Sequence, residues 1–234
     1  MDINVFIEEL EKIGINVSEE QLQQLEKYYK LLIEYNKVMN LTGITEKKEV
    51  YLKHFYDSLT LNKAIELNKI NSLCDIGSGA GFPGLVIKIL FPEINITLVD
   101  SLNKRINFLN IVIEELGLQN ISAVHSRIED FARQNKEKYD IVTARAVAKT
   151  NILLELSMPL LKINGQFVAM KSNVEEEIIN INKTCKLLNC SFIKKEEFDL
   201  PIENSLRTLL VFQKNCPTNE KYPRKFEQIK KNPL

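Results

Sequence analysis

The chain has 234 residues, 44% of them hydrophobic and 26% charged, with 31 basic residues balancing 31 acidic ones. Such a length suits one domain with an added segment and can bury a full core without disulfides or metal. No run reaches the roughly 18 apolar residues of a membrane span, because Glu155 and Lys162 break the run at 152–163, and Met1-Asp2-Ile3-Asn4 lacks the basic flank of a signal peptide, so a cytoplasmic protein with no membrane partner is expected.

Residues 4–13 read as a short amphipathic helix with Val5, Phe6, Leu10 and Ile13 on one side, and Gly14 stands where a helix C-cap belongs. Ser18 opens a longer helix, and Gln21 three positions later completes a capping box. Leu22, Leu25, Tyr28, Leu32, Tyr35 and Met39 continue it at helical spacing towards Asn40. A third helix is expected from Glu46 to about Asn68, which makes residues 1–70 a helical segment packed on the domain C-terminal to it.

The pattern then changes. Ser72–Ile76 reads as a buried parallel strand before a glycine loop and a helix, and Ile94–Val99 as a second strand ended by Asp100. Asn103–Leu116 reads as a helix closed by Gly117, followed by strands at Ile121–Val124 and Tyr139–Thr143. Thr150–Leu161 reads as helix up to Pro159, and Gln166–Met170 as a fifth strand after the turn at Asn164-Gly165. Glu175–Leu188 is an expected helix, and Ser191–Phe198 and Thr208–Phe212 are two last strands with no helix between them, hence antiparallel. Strands alternating with helices imply a doubly wound parallel sheet with crossovers. Five parallel strands and a closing antiparallel pair give a seven-stranded α/β layout over residues 71–213, leaving 214–234 as a basic tail.

Cys74, Cys185, Cys190 and Cys216 form no C-x-x-C pair and fit no zinc spacing, so buried or idle thiols and no metal are expected. Zero net charge argues weakly against a nucleic-acid partner, yet the charge is uneven: acids dominate residues 1–34 and bases dominate 214–231. The basic end suits either phosphate contact or a solvated surface.

The strongest local signal is Asp75-Ile76-Gly77-Ser78-Gly79-Ala80-Gly81-Phe82-Pro83-Gly84, between a strand and a helix. Glycines there let a ligand approach the backbone, and the helix start offers free N–H groups. Gly79 to Gly84 formally fits the dinucleotide fingerprint G-x-G-x-x-G, a weak sign on its own. Three alternating glycines preceded by Asp75 look more like the first motif of S-adenosylmethionine enzymes, in which an acid at that place commonly helps hold the methionine end. Asp100 suits the hydroxyls of an adenosine ribose, as in either cofactor class. No tyrosine has a lysine four positions on, no second domain follows the sheet, and no ATP P-loop is present.

With these segments in order, the chain resembles the small-subunit ribosomal RNA methyltransferase G family, also called glucose-inhibited division protein B. The markers are Asn40-Leu41-Thr42-Gly43-Ile44-Thr45, His54-Phe55-Tyr56-Asp57-Ser58-Leu59, Asp75 to Gly84, Val99-Asp100-Ser101-Leu102-Asn103-Lys104-Arg105, Thr143-Ala144-Arg145-Ala146-Val147-Ala148 and Lys221-Tyr222-Pro223-Arg224-Lys225. The resemblance covers nearly the whole chain. It implies an S-adenosylmethionine-dependent methyltransferase fold and methylation of N7 of guanine 527, in the usual bacterial numbering, in the 530 loop of 16S rRNA. It implies cofactor contacts at Gly77, Phe82, Ile128, Glu129 and Arg145, beside Asp100, with 16S rRNA or the small ribosomal subunit as partner; a monomer is expected. The family often carries Ala at the place of Ile128, a change that a backbone contact tolerates.

The fourth strand ends in Thr143-Ala144-Arg145-Ala146 rather than the [D/N]-P-P-[Y/F] of many amino-group methyltransferases. Guanine N7 has a free in-plane lone pair and no hydrogen, so alignment rather than a base is what it requires, and no catalytic acid or base is assigned. Lys47, Lys48, Lys53, Arg105, Arg145, Lys171 and the tail from Lys221 to Lys231 are candidate phosphate contacts. Two other readings stand beside this one: a methyltransferase acting on a small molecule or protein, and a non-catalytic RNA-binding or assembly protein that keeps the fold.

Overall fold

The structure is a computed structural model and describes residues 1–234 apart from Asn173, Glu175, Glu176, Ile178 and Asn180. Helix α1 (Ile3–Lys12) ends at Gly14, whose φ of 77° lets its N–H reach Glu11 O while Ile15 N–H reaches Leu10 O. Those two bonds form a Schellman cap. Helix α2 (Glu19–Met39) starts with the expected box, Ser18 and Gln21 each bonding the other's backbone N–H. The amide nitrogen of Gln21 then reaches 68 and 69 positions ahead, to Ile89 O and Leu90 O, at 3.0 and 3.1 Å.

The expected third helix is not continuous. It divides into α3 (Lys47–Val50), a π-helical turn (Tyr51–Tyr56), α4 (Asp57–Leu59) and 3-10 turns at Thr60–Lys63 and Leu67–Lys69. Ser58 Oγ donates to His54 O and Thr60 Oγ1 to Asp57 O, each at 2.6 Å. Such back-bonding hydroxyls compete with the helical ladder and change its winding.

Strand β1 (Ser72–Ile76) leads through the glycine loop into α5 (Gly84–Leu90), then β2 (Asn95–Asp100), α6 (Asn103–Glu115) and β3 (Ile121–His125). Helix α7 (Ile128–Gln134), whose N-cap Arg127 makes no side-chain cap bond, precedes β4 (Tyr139–Arg145), α8 (Thr150–Ser157) and a 3-10 turn holding Pro159. Strand β5 (Leu161–Lys171) begins before the expected turn. Tyr139 pairs with Leu161 but Ile141 with Gln166, so the extra residues bulge out at Asn164, φ 67°. A Cβ on Gly165 would lie 2.9 Å from Asp140 O and Lys162 O, which keeps that position glycine.

Helix α9 covers Ile181–Leu188; the start expected at Glu175 and Glu176 lies outside the described residues, and Glu177 is in a turn. Strands β6 (Cys190–Asp199) and β7 (Leu206–Lys214) close the sheet, and α10 (Phe226–Lys231) ends the chain.

The seven strands run β3-β2-β1-β4-β5-β7-β6, with β7 antiparallel to β6 as expected and antiparallel also to β5. Adjacent residues of each central strand enter different cores, as a period of two requires. Leu73, Ile141 and Val168 join the N-terminal helices with α5 and α6; Cys74, Val142 and Ala169 join the side of α7, α8 and α9. No described helix is long and apolar enough to cross a membrane. Winding reverses between β1 and β4, and the crevice beyond their carboxyl ends is where such sheets bind ligands.

Candidate functional site

The glycine loop fills that crevice, with φ of 73°, 59° and 102° at Gly77, Gly79 and Gly81. At Gly77 the lack of a side chain matters twice, because a Cβ would also lie 2.7 Å from Val147. The loop N–H groups, which the sequence offers to a ligand, are largely taken from within. Gly77 and Ser78 donate to Val99 O, Gly79 to Asp100 Oδ2 and Gly84 to Asp75 Oδ2.

Asp75 is fully buried beneath the loop and lines no part of the cavity, so its carboxylate shapes the loop rather than facing a ligand. Its Oδ1 has no hydrogen-bond partner among the described residues. Burial pushes the acid up to about 7, against the pull of the Gly84 N–H and the Arg145 charge. Asp100, 2% exposed, holds Leu102 N–H on Oδ1 and Gly79 N–H and Arg105 Nη1 on Oδ2. A ribose there meets a carboxylate already anchored to the loop, with Arg105 as the exchangeable partner at 3.1 Å.

The other wall comes from the N-terminal segment. The His54 ring stacks on Phe82 with centroids 4.4 Å apart, and the Arg145 guanidinium lies 5.0 Å from the Phe82 centroid. Arg145 Nη1 donates to Lys53 O (3.1 Å) and Asp57 Oδ2 (2.9 Å), while Arg207 Nε donates to Asp57 Oδ1 (2.9 Å). One carboxylate therefore ties β4 to β7 through a helical turn 88 positions from Arg145 in sequence. Burial, with the Arg145 charge, pushes His54 down to about 3, so it is neutral at ordinary pH. Thr42 Oγ1 lies 2.8 Å from its Nε2.

The third wall comes from the chain's end. Arg224 donates three hydrogen bonds to Glu155, a fully buried acid on α8, at 2.6–2.9 Å. That pair seats Phe226 against the cavity. The 214–231 segment, read from sequence as a basic end, is thus docked on the second core through Tyr222 and Ile229.

The cavity has a volume of about 490 Å³. Gly77, Phe82, Asp100, Ile128, Glu129 and Arg145 all line it. Phe82 is 6% exposed and serves core and cavity together; Ile128 and Glu129 stand in the first turn of α7. Thr42, His54, Arg127 and Phe226, none of them a cofactor candidate from the sequence, line the cavity as well. Thr42 and His54 lie inside the N-terminal marker segments, which is the available signal. Most candidate phosphate contacts have acidic partners: Lys47 with Glu26, Lys48 with Asp2, Lys53 with Glu49 and Glu203, Lys171 with Glu177.

Among known proteins, the family model for rRNA small subunit methyltransferase G matches residues 21–201. Ribosomal RNA small subunit methyltransferase G of Bacillus licheniformis is 49% identical over 100% of this chain and 99% of its own length. The protein of that name from Bacillus subtilis is 48% identical over the same shares. Among solved structures, the 16S rRNA (adenine(1408)-N(1))-methyltransferase from Catenulisporales acidiphilia, crystallised with its cosubstrate SAM, superposes with a TM-score of 0.53. It is 14% identical and aligns over 67% of this chain and 90% of its own, a likeness of fold.

Proposed function

The chain belongs to the rRNA small subunit methyltransferase G family, and from that premise we propose that it methylates N7 of guanine 527 in the 530 loop of 16S rRNA, using S-adenosylmethionine held by Gly77, Phe82, Asp100, Ile128, Glu129 and Arg145. The observation that supports this most is convergence: residues spread over the ends of β1, β2 and β4 and the start of α7 line one cavity. The cavity fits the group. Gly77 leaves backbone where a Cβ would clash, Asp100 supplies a buried carboxylate for hydroxyls, and Ile128 and Phe82 supply apolar faces.

When bound, S-adenosylmethionine supplies an electrophilic sulfonium methyl group. An acceptor such as guanine N7 sheds no proton, so the chain's task is to orient the acceptor and exclude water. The titratable groups agree with that task. His54, held near 3, is a poor proton acceptor at neutral pH, and Asp75 is sealed from the cavity. Arg145 is fixed by Asp57, Lys53 O and the Phe82 ring, so it presents a rigid cation at the end of β4.

The test is to map N7-methylguanine in 16S rRNA from cells with and without the gene, and to follow labelled methyl from S-adenosylmethionine into purified small subunits. Loss of the single modification in the 530 loop, restored by the purified protein, is the expected result. Unchanged modification there overturns the assignment.

A further inference from the structure

A second cavity of about 500 Å³ adjoins the first and shares His54, Arg145 and Ala146 with it. It opens beyond the carboxyl ends of β4 and β5 and the start of β7, where Lys171 pairs with Thr208. Its apolar lining comes from Met170 and Leu209, 4% and 1% exposed. Around them stand polar groups of both signs. Arg207 and Arg145 clasp Asp57, and Lys171 bonds Glu177 at 2.9 Å.

This composition fits a flat heterocycle with acceptors on one edge and donors on another, not a bare phosphate. Guanine has that pattern. Its Hoogsteen edge carries two acceptors, O6 and N7, and its pairing edge carries donors. A guanine in the second cavity with its Hoogsteen edge on the shared wall points N7 into the first cavity and O6 at Arg145, an obligate donor. Adenine in the same pose turns an amino donor at that guanidinium. We propose that the second cavity is the acceptor pocket for the unstacked guanine nucleotide, with Arg145 on the shared wall setting its orientation and Asp57 and Arg207 holding Arg145 in place. The proposal rests on the reading of the first cavity as the S-adenosylmethionine site.

Ser172 lines the second cavity only, and its side chain is exposed, so Ser172→Trp fills the mouth without disturbing the core. Arg207→Gln removes the second clasp on Asp57 and serves as a second probe should the tryptophan variant not fold. Both variants are compared with the unaltered protein for S-adenosylmethionine affinity by calorimetry and for methyl transfer to small subunits, with kcat and KM separated. Expected is kcat/KM lower by about tenfold or more in both, with cofactor affinity unchanged in Ser172→Trp, whose residue lies outside the first cavity. Ser172→Trp is expected to act mainly through KM, and Arg207→Gln also through kcat, because a mispositioned base reacts slowly once bound. Undiminished transfer by folded variants, or a parallel loss of cofactor affinity in Ser172→Trp, overturns the pocket assignment. If the unaltered protein itself transfers no methyl to small-subunit RNA, the failure belongs to the functional reading instead.

Discussion

Asp75 lies beneath the glycine loop and His54 stacks on Phe82 of the same loop, and burial moves the two in opposite senses. Asp75, up at about 7 from 3.8, keeps a proton in the folded chain that the unfolded chain releases. Its contribution to stability is complete below 3.8 and is lost as pH rises towards 7. His54, down at about 3 from 6.5, stays neutral in the folded chain while the unfolded chain takes a proton. Its contribution is complete above 6.5 and is lost as pH falls towards 3. Between these limits the two slopes oppose each other, and single substitutions separate them. As pH rises from about 4 to about 6.5, Asp75→Asn should gain stability relative to the parent and His54→Gln should lose it, each with a slope of up to about 1.4 kcal/mol per pH unit. Urea unfolding of both variants and the parent at several pH values reads this directly. Three parallel profiles would show that neither group titrates as described.

The C-terminal helix α10 buries only Ile229 of its own residues, so its place depends on the Glu155–Arg224 pair that precedes it. Glu155 is fully buried while the Arg224 side chain is 24% exposed, so removing the acid should cost about 3 kcal/mol, the lower end for breaking a buried pair. Glu155→Ala should therefore loosen the tail. Trypsin should cleave faster at Lys221, Arg224 and Lys225, and S-adenosylmethionine should bind more weakly once Phe226 leaves the cavity wall. Equal cleavage rates in variant and parent would argue that the remaining contacts hold the segment: Tyr222 and Ile229 in the core, Arg133 on Pro223 O, and Asn151 and Thr184 on Leu234 O. The sequence hides this docking because Glu155 stands 69 positions before Arg224, with nothing local to link them. The same limit hides the Asp57 bridge to Arg145 and Arg207. What is legible is encoded within a few residues: the Gly14 cap, the Ser18–Gln21 box, the strand–glycine–helix unit and the acid ending β2. Helix α7 escapes notice because its N-cap, Arg127, makes no side-chain cap bond, and the start of β5 because a bulge imitates a turn.

Across the whole molecule, the N-terminal helices and the sheet are not separable bodies in energetic terms. Phe6, Leu10, Leu25, Tyr28, Leu32 and Phe55, all at 0% exposure, share one core with Leu85, Val86, Phe108, Leu109 and Val112 of α5 and α6. Polar contacts reinforce the seam, since Gln21 bonds the last carbonyls of α5 and the Tyr28 hydroxyl donates to Ala80 O inside the glycine loop. Removing residues 1–70 would strip cover from those α5 and α6 side chains. Each is worth about 1.5–3 kcal/mol when fully buried, and a domain of this kind holds only about 5–15 kcal/mol in total. Losing even half of that burial consumes most of the margin, and the loop loses both Tyr28 and the His54 stack. The fragment 71–234 should therefore be expanded and bind no S-adenosylmethionine, while the full chain unfolds in one cooperative transition. Circular dichroism through a urea titration, with calorimetry of cofactor binding, distinguishes the cases. A fragment that unfolds cooperatively and binds the cofactor would mean that the helical segment is an accessory for RNA. Under the observed packing it is instead one wall of the core and of the site together.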